Sequence, residues 1–218
     1  GGISNQGTMT TTNSTFSSNS ADFGGGIVNF GILTVTKSNL SLNSGSNGGG
    51  GIMNFHTGIL TVEDSTISNN SAGNGGGIFN FNIATITNST ISENSASTNG
   101  GGISTWFSLN LTNSTVVGNE AETGGGVFNL GTLTTTNVTL SENAAITGGG
   151  VYNSFVTPTP GFAGEFNYSN TIIANSTSGA DCYNDGVINT NTNNLVENNA
   201  ASPNQCGIPF LSEDPKLG

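Results

Sequence analysis

The chain has 218 residues, with 13 acidic side chains against two lysines and no arginine, for a formal charge of −11. That balance excludes nucleic-acid binding, which needs clustered Lys and Arg against phosphate, and it excludes attraction to an anionic membrane surface. Only 33% of the residues are hydrophobic and no apolar run has the length of a membrane span, so neither a thick globular core nor membrane insertion is expected.

From its first residues the chain is a repeat, seen most cleanly from Gly75 to Ala96 as GGGIFNFNIATITNSTISENSA. The glycine before the apolar residue recurs at Gly2, Gly26, Gly51, Gly77, Gly102, Gly126 and Gly150, 24 to 26 residues apart. A period in this range is the signature of a stacked repeat architecture, and it fits one turn of a coil built from three short strands.

Within each copy the order of predicted elements is constant. First comes an aliphatic residue: Ile3, Ile27, Ile52, Ile78, Ile103, Val127 and Val151. A T-x-T-like strand follows, in which Leu33 and Val35, Leu60 and Val62, or Leu109 and Leu111 alternate with Thr or Asn, the period of a half-buried strand. A third run begins at Phe16, Leu40, Ile67, Ile91, Val116, Leu140 and Ile172, and three residues on stands a column of Asn19, Asn43, Asn70, Asn94, Asn119, Asn143 and Asn175. A second column, Asn5, Asn29, Asn54, Asn80, Asn129 and Asn153, is interrupted by Thr105. Stacked at about 4.8 Å, such rungs fill the interior with aliphatics and let each Asn amide bond to its counterpart above and below. Asn also tolerates the left-handed backbone of tight corners. The glycine runs mark sharp turns or places where a side chain would strike the next rung. No segment sustains a helical period.

The fold expected is all-β: a right-handed parallel β-helix of seven to eight rungs, a rod on the order of 35 to 40 Å long. Rungs two to six run regularly to Gly150, and all five prolines, Pro158, Pro160, Pro203, Pro209 and Pro215, come later, as expected if the earlier strands cannot spare an N–H. The repeats occupy residues 1–177, with a protruding loop over 154–164; residues 178–218 form the closing rung and C-terminal cap. Cys182 and Cys206 both lie in that cap. Bridged, they would stabilise it by roughly 3 kcal/mol; the alternative is two free buried thiols.

Two further columns have an open orientation. Phe30, Phe55, Phe81, Trp106 and Leu130 stand four residues after the anchor glycine, and Val28, Met53, Phe79, Phe128 and Tyr152 two after it. Strict alternation sends both outward as an apolar stripe for ligand or lateral contact; a bend at the Asn would tuck one back into the core. The exposed threonines, Thr34 and Thr36 or Thr85 and Thr87, resemble the flat faces of ice-binding solenoids but fit ordinary strand preference.

The pairing of a GG-x-Ile motif with Phe16-Ser17-Ser18-Asn19 and its Leu, Ile and Val variants resembles the repeats of bacterial polymorphic outer-membrane proteins and related secreted right-handed β-helix surface proteins. The resemblance covers roughly residues 1–177 and implies a surface-exposed or secreted scaffold or adhesin, with no shared catalytic residues. No catalytic residue, metal site or cofactor is therefore expected. There is no arginine, Lys37 stands alone, and Glu93 and Glu142 repeat as rim charges rather than as a dyad. Asp181 and Asp185 are too few for a calcium site. The expected function is an extracellular, non-enzymatic scaffold whose partner is itself, stacked head to tail through open strand edges into fibres. The alternative is an adhesin binding host or matrix glycans or proteins through the aromatic flank or the 154–164 loop. A carbohydrate-active enzyme is the remote third.

Overall fold

The computed structural model describes residues 1–155, 163–209, 211–212 and 214–216. Every strand pairing between named strands is parallel, and each joins a residue to its counterpart one rung away, so that Ile52 sits between Ile27 and Ile78. Three sheets of eight strands result. The first runs from Ile3–Asn5 to Cys182–Asn184, the second from Thr8–Thr12 to Val187–Thr192, and the third from Thr15–Ser17 to Leu195–Val196. The molecule is a parallel β-solenoid of eight rungs.

The three-strand coil expected from the sequence is incomplete. The first four rungs carry a fourth strand, Ser20–Phe23, Ser44–Gly48, Ser71–Asn74 and Ser95–Asn99. In the fifth and sixth rungs only isolated bridges such as Glu120↔Ala144 hold the same place. These strands read SADF, SGSNG, SAGN and SASTN. They have almost no β-branched or aromatic content to signal a strand, and neighbouring rungs supply the pairing instead.

The core is a narrow aliphatic column: Ile78, Ile86 and Ile91 of the fourth rung are each 0% exposed, and their counterparts on the rungs to either side are no more than 1% exposed. The outward threonines of the second sheet, Thr34, Thr36, Thr85 and Thr87 among them, remain half-exposed as the period of two requires. The corner from the fourth sheet to the first explains the glycine run. Gly75 has φ of +59°, and a Cβ on Gly76 would stand 2.4 Å from the Ser95 carbonyl oxygen and 2.5 Å from that of Gly101. The first glycine supplies a left-handed turn and the second lets two rungs touch.

The asparagine columns are hydrogen-bonded ladders. Asn43 Nδ2 donates to Asn70 Oδ1 at 3.0 Å, Asn70 to Asn94 at 2.9 Å, and Asn94 to Asn119 at 3.0 Å. In the second column Asn29 donates to Asn54 at 2.7 Å and Asn54 to Asn80 at 2.8 Å; Asn80 meets the Thr105 hydroxyl at 3.0 Å, and Asn153 extends the column to Asn184 at 2.6 Å. The left-handed corners belong to other residues. The position just before the first column is left-handed, with φ of 55° at Asn69, 53° at Glu93 and 56° at Glu142.

That offset corrects the seventh rung. Leu140 pairs with Ile173, not Ile172. The residue in ladder register is consequently Ser176, and Asn175 takes the left-handed position with φ of 56°. Asn175 is not in the ladder. A serine is too short to reach its neighbours, and Ser176 Oγ is buried without a hydrogen-bond partner.

Candidate functional site

The side chains that could meet a partner lie where the first sheet turns into the second. An asparagine ends every first-sheet strand except Ile103–Thr105, its amide directed inward. The next residue then falls on the outer corner, before a short turn and the second-sheet strand. Phe30, Phe55, Phe81 and Trp106 hold that corner on four consecutive rungs. Phe30 and Phe55 stack with centroids 4.7 Å apart and planes 10° from parallel, and Phe55 and Phe81 at 6.3 Å and 16°. Trp106 departs from the stack, 5.0 Å from Phe81 but tilted by 57°. Phe30 is 38% exposed and Trp106 42%, whereas Leu130, at 8%, is buried and not part of an exposed stripe. Phe23 from the fourth sheet packs edge-on against Phe55 at 5.8 Å, and exposed Ile32, Ile59 and Ile83 border the column on the second sheet.

The second column, two residues after the anchor, is neither fully outward nor in the aliphatic core. Met53, Phe79 and Phe128 are buried at 0%, 4% and 7% exposure, yet they lie outside the main core cluster. Phe79 packs against Phe81 at 4.4 Å, and a Cβ on Gly48 would come 2.4 Å from the Phe79 ring. The end of the fourth-sheet strand covers this column, forming a thin outer apolar layer. His56, exposed in the corner insertion, leans on Phe81 at 4.7 Å.

A third ladder escaped the sequence reading. Ser38, Ser65, Ser89 and Ser114 are buried at 3% to 5% exposure. Ser65 Oγ accepts from the Ser38 backbone N–H at 3.0 Å while donating to the Glu63 carbonyl at 2.7 Å, and Ser89 and Ser114 repeat the pattern. The recurring Ser at the second-to-third-sheet corner was its signal, masked by the abundance of serine everywhere.

The closing rungs are held by different means. Cys182 and Cys206 form a disulfide with Cα atoms 5.9 Å apart, both fully buried. Asp181, also fully buried, accepts the backbone N–H groups of Ser176 at 2.8 Å and Asn198 at 2.7 Å through its two oxygens. The exposed Asp185 accepts from the Tyr152 hydroxyl at 2.7 Å; burial and this bond to a carboxylate push the Tyr152 pKa up to about 12. Both carboxylates that suggested calcium are thus committed to protein donors. Tyr168, stacked on Phe166 at 4.4 Å, donates to the Cys206 carbonyl, and burial raises its pKa above the ordinary phenol value. Glu93 and Glu142 occupy exposed left-handed corners. Among the described residues no three His, Cys, Asp or Glu side chains gather as a metal site. Of the 154–164 loop, residues 156–162 lie outside the described part; its base is a bridge between Phe155 and Ala163.

Two stretches of the chain match a known repeat. The Chlamydia polymorphic membrane protein (Chlamydia_PMP) repeat matches residues 64–80 and 88–105. The chain carries repeats of this type. Each match runs from the second-to-third-sheet corner through a ladder asparagine, Asn70 or Asn94, and the glycine turn to the next inward isoleucine, Ile78 or Ile103. No curated protein and no solved structure matches the chain. No helix among the described residues is long and apolar enough to cross a membrane.

Proposed function

We propose that the chain is a non-enzymatic, surface-associated β-helical scaffold, a rod whose work is to hold a lateral face at a fixed distance and orientation. The single observation that carries this reading is the continuity of the ladders. Pairing in register, buried asparagine amides and one aliphatic column run through rung after rung. A structure of this kind transmits position rather than motion.

The two ends differ, and this bears on self-assembly. At the N-terminal end Ile3, Met9 and Phe16 are only partly buried, and the strands of that rung are the outermost of their sheets. At the other end residues 199–209 and Leu211 lie against the last strands: Asn184 N–H donates to the Asn204 carbonyl, Asn191 Nδ2 to the Ile208 carbonyl, and Leu211 bridges Leu195. The reading favoured is association of rods with one another, along their length or through strand edges. Electron microscopy of the purified chain over a concentration series tests it. Paired or bundled rods are expected; long fibres would show end-to-end stacking instead, and rods single at every concentration would overturn self-association.

A second reading, adhesion, has its own support in the aromatic corner. The faces of Phe30 and Phe55 are turned toward each other, so the column offers solvent ring edges and isoleucine methyls. That surface suits apolar protein side chains better than sugar rings. Replacing Phe55 and Phe81 by Ser separates the readings: lost cell attachment with rods intact supports adhesion, and lost rod association supports lateral packing.

A further inference from the structure

The ring column stops after Trp106, because the next rung places Leu130 there and buries it. A cleft of about 200 Å3 opens at this gap, lined by Trp106, Phe107, Ser108, Leu130, Thr132 and Glu165 among others. We propose that this cleft binds one neutral pyranose ring, which takes the level in the stack that no aromatic side chain fills. The inference goes beyond the scaffold reading and stands whether or not the rods associate.

Three observations point to this ligand. Trp106 is rotated out of the parallel stack by 57° and is 42% exposed, so an indole face is available where the phenyl faces are not. Phe107, 57% exposed, extends the apolar wall. The C–H face of a pyranose meets such walls, as in concave sites where aromatics supply area and a few polar groups fix orientation. The polar groups are the Ser108 and Thr132 hydroxyls and the Glu165 carboxylate, whose Oε2 accepts from Asn189 Nδ2 at 3.3 Å. A carboxylate accepts from sugar hydroxyls but repels an anion. Lys37 and Lys216, the chain's two basic residues, are not among the lining residues. Uronic and sialic acids are thus disfavoured and neutral sugars favoured. The volume holds one ring rather than a chain, which makes the end of a glycan the natural source.

Trp106 is the only tryptophan, so its fluorescence reports the site directly. The full chain is titrated with methyl glycosides of neutral hexoses, with methyl glucuronide and with neutral trisaccharides. Saturable emission changes with neutral glycosides are expected, with dissociation constants on the order of 1 mM, and none with the glucuronide. Trisaccharides are expected to bind within about threefold of the single sugar if only the end residue enters. By calorimetry Glu165→Ala is expected to weaken binding about tenfold, and Trp106→Ala to remove it. Thr132→Val, which keeps shape and deletes one hydroxyl, serves should the Trp106 variant lose its fold, and is expected to weaken binding about threefold. The absence of a saturable response to every neutral sugar, equal binding of the glucuronide, or binding unchanged by Glu165→Ala and Thr132→Val would overturn the proposal.

Discussion

The rungs up to Gly150 and the two that close the chain solve one problem by opposite means. In the regular rungs most buried polar groups are matched by the same residue of the next rung, as Asn70 is by Asn94 and Ser65 by Ser89; Asn80, which meets Thr105, and Ser104, whose hydroxyl has no partner, are exceptions. In the closing rungs each contact occurs once: the disulfide, the Asp181 carboxylate across two backbone N–H groups, the Tyr168 hydroxyl on the Cys206 carbonyl. Repetition makes a structure in which any rung can stand beside any other, whereas singular contacts specify where the structure ends. Ser176 marks the boundary, since there the ladder asparagine gives way to a residue too short to continue it.

The sharpest way to break the comparison is at the middle of a ladder. Asn94→Ala strands the Asn70 amide, the Ile67 carbonyl and the Asn119 oxygen, each of which Asn94 now satisfies or joins. A loss of about 4 kcal/mol is expected in denaturant unfolding, summed over several buried orphans. In the closing region, Asp181→Ala removes two charge-assisted bonds to backbone N–H, and about 3 kcal/mol is expected. Hydrogen exchange should rise at Ser176 and Asn198 while the first four rungs keep their protection.

Cys206→Ser opens the 24-residue separation of the disulfide and is expected to cost about 3 kcal/mol by chain entropy, with proteolysis confined to the residues after Asp181. In the first rung Asn19→Ala loses the half-buried bond to Asn43 at 3.0 Å, and about 1 kcal/mol is expected. A cost there as large as at Asn94 would mean that the ladder acts as a whole rather than link by link.

The smallest effect is on pH. Tyr152, at about 12 against an ordinary 10.0, keeps its proton longer folded than unfolded. Its contribution is complete below pH 10 and lost as pH rises to about 12. Tyr168 is raised too and acts with the same sign. Stability in alkaline titration is expected to fall across that window. The Tyr152→Phe variant should fall less, because its closing rung no longer holds a titrating phenol beside Asp185.

Much of this was legible because a repeat states each position seven times. The inward aliphatics, both asparagine columns through Asn143 and the outward threonines follow from recurrence alone. What recurrence could not reach was anything set by a single copy or by weak residues. The fourth strand is written in Ser, Gly and Ala, whose pairing comes from neighbours. The one-residue slip at Ile172 follows an insertion, and only the partner strand fixes its register. The burial of Phe79 depends on the absent side chain of Gly48, and the cleft at Trp106 on the level that Leu130 leaves unfilled. Sites of contact lie in departures from the repeat, where a pattern has least to say.

The asparagine ladders also have a direction. In every asparagine link of the two buried ladders Nδ2 donates to the Oδ1 of the rung that follows in the chain, whereas surface links such as Asn113 to Asn88 run the other way. A rung is therefore an arrow, and a neighbour set upside down would bring oxygen against oxygen. Two consequences follow for how such a chain changes over generations. Whole units of about 25 residues can be copied or deleted between Gly26 and Gly150, since the upper face of every unit fits the lower face of every other. Growth by duplication keeps its polarity without any further instruction.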